Sequence, residues 1–463
     1  MDSSRLKPSP TSLILRRVAR AALPAVALAF GLGLSPAHAQ SLQDALVQAY
    51  QSNPTLDAAR AQLRATDELL PQAKAGFLPT ISATGSASRN LQKNGPVETY
   101  WTEKSASAEI VQPLFRGGRT VAGMSRAEAL IQAQRASLLS TEQSVLLAAA
   151  QAYSDVVRDE AVLQLTINNE QVLKRQLEAA NDRFRVGEIT RTDVSQSESR
   201  LALSMSNRIA AEGALNASRA TFARLVGAAP QGLVQAAPLT GLPASLDATI
   251  ALAEQNNPQV QAAKFSERAA DAAINQVAGE LLPTVSLVGS YSRTWDRPGS
   301  LGDIDNGAII ARVTVPIYEA GATTARVREA KQTASQRRIQ IDEAVRGARE
   351  TGIRAWEALS TARASIKSRN EQVRAANIAL EGVRQEATVG SRTVLDTLDA
   401  EQELLNAQVE LVRAQRDEVV ASFQVMAATG QLSVSSLGLP VQAYDVEAHY
   451  NSASSKIWGL SAD

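Results

Sequence analysis

The chain has 463 residues, 47 basic and 47 acidic side chains, and a formal net charge of zero. That balance argues against nucleic acid as a main partner, which would call for a basic face. There is no cysteine and there are two histidines, His38 and His449. Disulfides, thiolate metal sites and cysteine nucleophiles are thereby excluded, and no histidine cluster is left to hold a metal or act as a catalytic base.

Residues 1–39 read as a targeting segment. Arg5, Lys7, Arg16, Arg17 and Arg20 form a positive start, residues 21–34 are apolar, and Ala37-His38-Ala39 is a small-x-small cleavage site. The alternative, a membrane anchor, needs an apolar run of about 20 residues, longer than this one. The mature chain is expected to begin at Gln40, outside the cytoplasm, and without a cysteine there it is not an acylated lipoprotein. No later apolar run is long enough for a transmembrane helix, so a membrane crossing would have to be made by strands.

The rest of the chain is written twice. Ser41-Leu42 recurs as Ser245-Leu246, Asn53-Pro54 as Asn257-Pro258, and Leu78-Pro79-Thr80 as Leu282-Pro283-Thr284, each 204 positions on. Pro113 then matches Pro316, Gly118 matches Gly321, Val186-Gly187 matches Val389-Gly390 and Gly227 matches Gly430, now 203 positions apart. Such a period is far longer than a solenoid unit and reads as one ancestral unit duplicated and fused. The expected organisation is a first repeat at 40–227, a Pro/Gly-containing linker at 228–244, a second repeat at 245–430 and a tail at 431–463.

Each repeat carries the same elements in order. A helix comes first, at 42–75 and 246–280, with the Asn-Pro interruption predicting two helical pieces. A strand pair follows. Ile81, Ala83, Gly85 and Ala87 alternate with Ser82, Thr84, Ser86 and Ser88, and Val285, Leu287, Gly289 and Tyr291 do so with Ser286, Val288, Ser290 and, after one slip, Arg293. The returning strands are predicted at 105–111 and 308–315, after polar loops at 90–104 and 295–306. Period two with one small or polar face suits a barrel wall. A proline-free helix of some 65 residues comes next, at 120–185 and 323–387, about 100 Å long and suited to a coiled coil or tunnel wall. Glycine-containing turns at Gly187 and Gly390 lead into return helices at 193–225 and 396–428. Leu398, Leu405, Val412, Val419 and Met426 recur every seven residues in the second return helix, and Val194, Leu201, Leu215 and Phe222 keep that spacing in the first, with Arg208 interrupting. A second row, Leu395, Val409 and Phe423, is broken by Gln402 and Arg416. The tail is polar and irregular, lying against the outside or disordered.

This order of elements, duplicated, resembles the TolC family of outer-membrane export channels. The resemblance covers nearly the whole mature chain and is most specific at the turns, Val186-Gly187-Glu188-Ile189-Thr190-Arg191-Thr192-Asp193 and Val389-Gly390-Ser391-Arg392-Thr393-Val394-Leu395-Asp396-Thr397-Leu398-Asp399-Ala400. It implies an α+β protein in the outer membrane and periplasm. Three protomers would each give four strands to one barrel, continued by a helical tunnel whose turns meet a periplasmic adaptor and an inner-membrane transporter. The physics is consistent with this, since four strands cannot close a barrel and an open edge is not tolerated in lipid.

The candidate site residues lie at these turns. Asp396 and Asp399 share a helix face, and in a trimer six such carboxylates would form a cation-selecting ring. For Asp396 the other reading is a helix cap, because Thr393 precedes it by three and Asp193 stands likewise behind Thr190. Asp399 aligns with Gln196 and has no acidic sister, so it is the stronger gate residue against a merely solvated acid. Arg392 aligns with Ile189. The family's arginine at this place ties the closed tip, the alternative being a solvated arginine. The family's tyrosine partner is replaced by Ala387, so that part of the lock is missing. Gly187 and Gly390 supply a left-handed backbone, and with Thr190, Asp193 and Thr393 they are implied to dock the adaptor. Tyr291, Trp295 and Trp101 are either girdle aromatics or loop packing. No catalytic set, metal cluster, phosphate loop or cofactor site is evident. The rival to a channel is a periplasmic coiled-coil adaptor or structural protein, which would have no use for a duplicated strand pair.

Overall fold

A computed structural model describes residues 40–296, 302–456 and 458–461. The leader at 1–39, including His38, lies outside the described residues. The interrupted first helix of each repeat is present as two pieces, α1 (Leu42–Ser52) with α2 (Pro54–Asp67), and α6 (Leu246–Asn256) with α7 (Pro258–Ala278). In the first repeat a further break at Glu68 separates a short α3 (Leu69–Lys74), where the sequence predicts a single helix to residue 75. Pro71 explains it, because its ring meets the carbonyl four residues back and α2 ends there, at Asp67. The matching position in the second repeat is Asn275 and α7 is unbroken.

The long helices α4 (Arg119–Arg185) and α8 (Ala322–Thr388) are each 67 residues. The return helices are α5 (Arg191–Val226) and α9 (Val394–Ala428). The Asn-Pro landmarks join these elements. Asn53 Oδ1 accepts the Thr55 N–H at 3.0 Å, while its Nδ2 donates to the Leu225 carbonyl at 2.9 Å, in the last turn of α5. Asn257 repeats the arrangement, accepting from Gln259 N at 2.9 Å and donating to the Ala428 carbonyl at 3.4 Å. Each asparagine thus caps its own helix and also a carbonyl orphaned at the end of another. The close approach demands glycine. Gly430 has φ +73, and a Cβ there would lie 2.3 Å from the Asn256 carbonyl oxygen. Helix α5 therefore abuts α2, and α9 abuts α7.

The four strands form one antiparallel sheet, β1 (Thr80–Asn94), β2 (Val97–Arg116), β3 (Thr284–Trp295) and β4 (Ile304–Thr314), in chain order. The loop predicted at 90–104 is corrected. Both strands run on past Arg89, pairing Asn90 with Trp101 and Lys93 with Glu98, and turn at Gly95 with φ +61. Apolar alternation stops there but backbone pairing does not, and the Lys93–Glu98 ion pair at 2.8 Å stitches the polar extension. Trp101 is accordingly a strand residue. In the second repeat β4 begins at Ile304 rather than Ala308. The register places Ile81, Ala83 and Gly85 level with Ile110, Ala108 and Ala106, then Gly289, Tyr291 and Arg293. One face is thus mostly apolar, while Thr84–Ser107 and Ser86–Ser105 hydroxyl pairs, at 2.6 and 2.8 Å, occupy the other.

Below the sheet the helices keep the strand order: α2 and α3 pack on α4, α4 on α7, and α7 on α8. Farther down, α5 packs on α4 and α9 on α8, with α4 against α9 joining the two coils. No described helix is long and apolar enough to cross a membrane. The main core gathers Leu46, Tyr50, Leu56, Leu146, Tyr153, Phe222 and Phe423. The linker crosses it, with Val234 N donating to the Tyr153 hydroxyl at 3.0 Å and Leu239 N to Ser422 Oγ at 3.0 Å. The described residues of the tail are ordered against the core. Leu432, Val434 and Leu439 are buried in the same core, and α10 (Val446–Ser455) follows. Tyr444 N donates to the Tyr50 hydroxyl at 2.9 Å, and His449 Nδ1 meets the buried Asp67 Oδ2 at 3.0 Å.

The helical tips as candidate functional site

Both turns predicted from the glycines are built alike. Helix α4 ends with Gly187 N donating to the Phe184 carbonyl and Glu188 N to that of Arg183, both at 2.9 Å. Helix α8 ends with Gly390 N bonded to Ala387 O at 3.2 Å and Ser391 N to Glu386 O at 3.0 Å. These paired bonds satisfy the last carbonyls and require a left-handed residue between them. Gly187 and Gly390 supply it, at φ +80 and +81. A Cβ at either would meet nothing within 4 Å, so the glycines answer a backbone demand, with no crowding involved. Just before them Val186 and Val389 are 78% and 79% exposed, an unshielded valine at each tip.

The return helices start on matched capping boxes. Thr393 N donates to Asp396 Oδ2 at 2.9 Å, the Thr393 hydroxyl at 2.8 Å, and Asp396 N returns a bond to Thr393 Oγ1 at 3.2 Å. Thr190 and Asp193 do the same at 2.9, 2.7 and 3.3 Å. The cap reading of Asp396 therefore holds in this protomer. The bonds from Thr393 hold the Asp396 carboxyl below its ordinary value, main-chain bond first, and those from Thr190 do so for Asp193, hydroxyl first. Both acids stay charged while capped.

Asp399 stands one turn on and is claimed by a residue outside the predicted site. Arg200, on α5, forms an ion pair with it across the two return helices. The signal was available, because Arg200 aligns with Glu403 and so changes charge between repeats, as Asp399 does against Gln196. Arg392 is held within its own turn, Nε donating to Glu386 Oε2 at 2.8 Å. The first tip has the mirror arrangement, Arg183 reaching Glu188 at 2.7 Å. Positions 183 and 386 are sisters, so each tip has one helix-to-turn clasp with its charges exchanged. The clasp raises the Arg392 guanidinium further above its ordinary value, the Glu386 bond being the main cause.

Of the three interruptions of the heptad rows, Arg208 and Arg416 are ion-pairing positions, while Gln402 donates to Asn406 Oδ1 at 2.9 Å. Arg208 donates to Glu170 on α4 at 2.6 Å, and Arg416 donates to Asp155 on α4 at 2.8 Å. Asp155 also binds Arg158 at 2.8 Å, so the break at Arg416 links α9 to α4. No group of three or more metal-ligating side chains occurs among the described residues.

The geometry has known counterparts. The pattern of the outer membrane efflux protein family matches residues 45–228 and 249–431, one match to each repeat. The outer membrane efflux protein BepC of Brucella suis is 35% identical over 422 residues, 91% of this chain and 92% of that protein. The outer membrane protein TolC of Escherichia coli K12 is 25% identical over 437 residues, 88% and 86% of the two chains. Among solved structures, the Campylobacter jejuni CmeC outer membrane channel superposes with a TM-score of 0.76 at 16% identity, covering 89% of each chain. The outer membrane protein VceC of Vibrio cholerae gives 0.73 at 19% identity, covering 84% of this chain and 96% of its own.

Proposed function

The chain belongs to the outer membrane efflux protein family, and from that premise we propose that three copies assemble into one outer-membrane channel whose periplasmic tips are its gate and its docking end. It carries substrates out across the periplasm and outer membrane, handed over by an inner-membrane transporter and a periplasmic adaptor. One observation carries the assembly: a four-stranded sheet with an apolar face and two unpaired edges. Lipid tolerates neither edge, so only a closed ring of copies satisfies it. An adaptor or structural coiled coil has no need of this sheet.

At the tips, Asp399 forms the gate ring with Asp396 capping the helix beside it, Arg392 ties the closed turn after α8, and Gly187, Thr190, Asp193, Gly390 and Thr393 shape the ends on which the adaptor sits, with Val186 and Val389 as its apolar contacts. Glu386, beside Ala387, does the work of the family's missing tyrosine by holding Arg392. Relatives include both an efflux protein, BepC, and the alkaline protease secretion protein AprF of Pseudomonas aeruginosa, so both efflux and protein secretion fit this reading.

The test is conductance and ion selectivity of the detergent-purified protein in planar bilayers. Small, cation-selective currents are expected. Asp399→Ala removes the carboxylate and leaves Arg200 uncompensated, so cation preference should fall severalfold, whereas Arg200→Ala should raise it. Unchanged selectivity in both variants would remove Asp399 from the gate. A protein that stays soluble without detergent and never conducts would sink the channel itself.

A further inference from the structure

Where the sheet meets the helices, the first repeat is hollow and its duplicate is filled. We infer that this hollow binds an oxyanion, the carboxylate or phosphate of a small solute, and that it opens on the bore of the channel. Its place in the bore rests on the proposed assembly, while the binding rests on the protomer alone.

The hollow, of about 520 Å³, lies where β2 runs into α4, between α3, α4 and α7. Arg116, Arg119 and Arg126 line it, with Gly76, Thr120 and Gly123. None of the three arginines pairs with a carboxylate among the described residues. Arg119 donates its Nε to the Arg116 carbonyl at 3.0 Å, and Arg126 donates a single N–H to Gln276 at 3.3 Å. A guanidinium has five N–H donors, so most remain to be used. Glu280, an acid on the rim, is already bound by Arg326. Thr120 is only 7% exposed, and its hydroxyl has no partner. A buried polar group left so is uncommon and points to a missing partner. A Cβ at Gly76 would lie 2.7 Å from that hydroxyl and 2.8 Å from Arg116 Nη1. The bare glycine is what lets hydroxyl and guanidinium converge.

The second repeat shows which partner is missing. Thr323, the sister of Thr120, donates its hydroxyl to the Glu319 carboxylate, and position 319 is the sister of Arg116. Arg326 and Glu280, sisters of Gly123 and Gly76, form an ion pair across the same space. Arg326 also donates to Thr323 Oγ1 at 3.1 Å. Arg126 is matched by Glu329. The second repeat thus supplies the acid from its own chain. The first has arginines at both acid positions and glycines at both positions of the filling pair. An incoming carboxylate or phosphate takes the place of Glu319, accepting from the Thr120 hydroxyl and from the arginine forks, which match such oxygens two at a time. A cation would be repelled by three like charges.

The hollow faces away from the tail. Arg135 reaches Glu447 and the Val446 carbonyl at the start of α10. Arg126 stands nine residues earlier on α4, half a turn out of phase at about 100° per residue. Arg116 is level with Thr284, and Thr284 with Thr314, on the hydroxyl face of the sheet, which the proposed barrel turns to its bore. Three copies set a basic collar at the neck, where arginine rings favour anions.

Calorimetric titration of the detergent-purified protein with citrate tests the site, with inorganic phosphate as competitor. Arg116→Glu restores the residue of the sister repeat and should weaken citrate binding by roughly tenfold. Arg126→Gln should weaken it severalfold. Arg89→Gln, which removes the same charge farther up β1, should change nothing. If Arg116→Glu also lowers the melting temperature, Arg126→Gln, at an exposed position, decides alone. No binding of citrate at millimolar concentration, or equal weakening by Arg89→Gln, would overturn the site. Displacement of citrate by phosphatidylglycerol micelles but not by inorganic phosphate would assign the hollow to lipid and overturn the solute. In planar bilayers citrate should lower the current, and Arg116→Glu should relieve that block. Binding without block would overturn the place in the bore. A conducting channel that binds no citrate would overturn the site and leave the channel standing. Citrate binding that follows the arginines in a protein that never conducts would do the reverse.

Discussion

Helices α4 and α8 are sisters of equal length, 67 residues, each entered through a left-handed glycine, Gly118 at φ +74 and Gly321 at φ +81, and each left through another. Their surroundings differ. Along α4, Leu146, Ala149, Ala150, Tyr153 and Val156 are all buried, under the linker, the tail and α1. Along α8 the buried set is sparse, mainly Ala348, Gly352, Ala355 and Leu359, with Ile339 and Ile378 66% and 63% exposed. Length and ends are thus set by local chemistry, which duplication copies faithfully. Burial is set by what the rest of the chain lays on the helix, and linker and tail are laid mainly on one repeat.

Three changes probe this contrast. Tyr153→Ala should have the largest effect. Its ring is buried against Phe222 and its hydroxyl bonds the linker at Val234, so about 3–5 kcal/mol of stability should be lost. The sister change Trp356→Ala, at a half-buried position, should cost clearly less in the same thermal or denaturant melts. Equal losses would mean that α8 is as enclosed as α4. Next come the asparagine staples. Asn53→Ala removes a helix cap and a bond to the Leu225 carbonyl, for about 1–3 kcal/mol. Asn257→Ala should cost less, because its bond to Ala428 is longer, 3.4 against 2.9 Å. The reverse order in melts would show that bond length is not what separates them.

The smallest effect should be acid loosening of the tips, equal in the two repeats. Asp193 and Asp396 both titrate below their ordinary 3.8 in the folded chain. A lowered folded value means stabilisation that is complete above 3.8 and is lost as pH falls through it and on through the lower folded value. A fluorophore on a cysteine placed at Ser391 should gain mobility, by anisotropy, as pH falls below 3.8 and on through the lower folded value. In Asp396→Asn the probe should be mobile at every pH. A pH response that survives this substitution would assign the transition to another group.

The sequence made legible whatever repeats or caps locally. The duplication, the paired long helices, the Asn-Pro breaks, the turn glycines and the Thr–Asp boxes all lie where their residues put them. It concealed what depends on distant partners. Residues 90–104 look like a loop because their few apolar residues, Leu91, Val97, Tyr100 and Trp101, are scattered among polar ones around a Gly-Pro turn, yet the ladder between β1 and β2 carries them. The tail looks irregular because Leu432, Val434 and Leu439 follow no period, yet the core receives them. Asp399 looked free because Arg200 lies far away along the chain. Only the break at Pro71 was local and passed over.

The stapled helix ends also give the molecule unequal struts. Helices α4 and α8 run from sheet to tip as unbroken covalent rods. The lines α5–α2 and α9–α7 are jointed half-way, each held at the joint by an asparagine side chain and close glycine packing. Giving up such a bond costs about 1 kcal/mol, far less than breaking a helix interior. A twist applied to the tips is therefore transmitted to the barrel by two stiff members, while the other two take up the mismatch at their hinges.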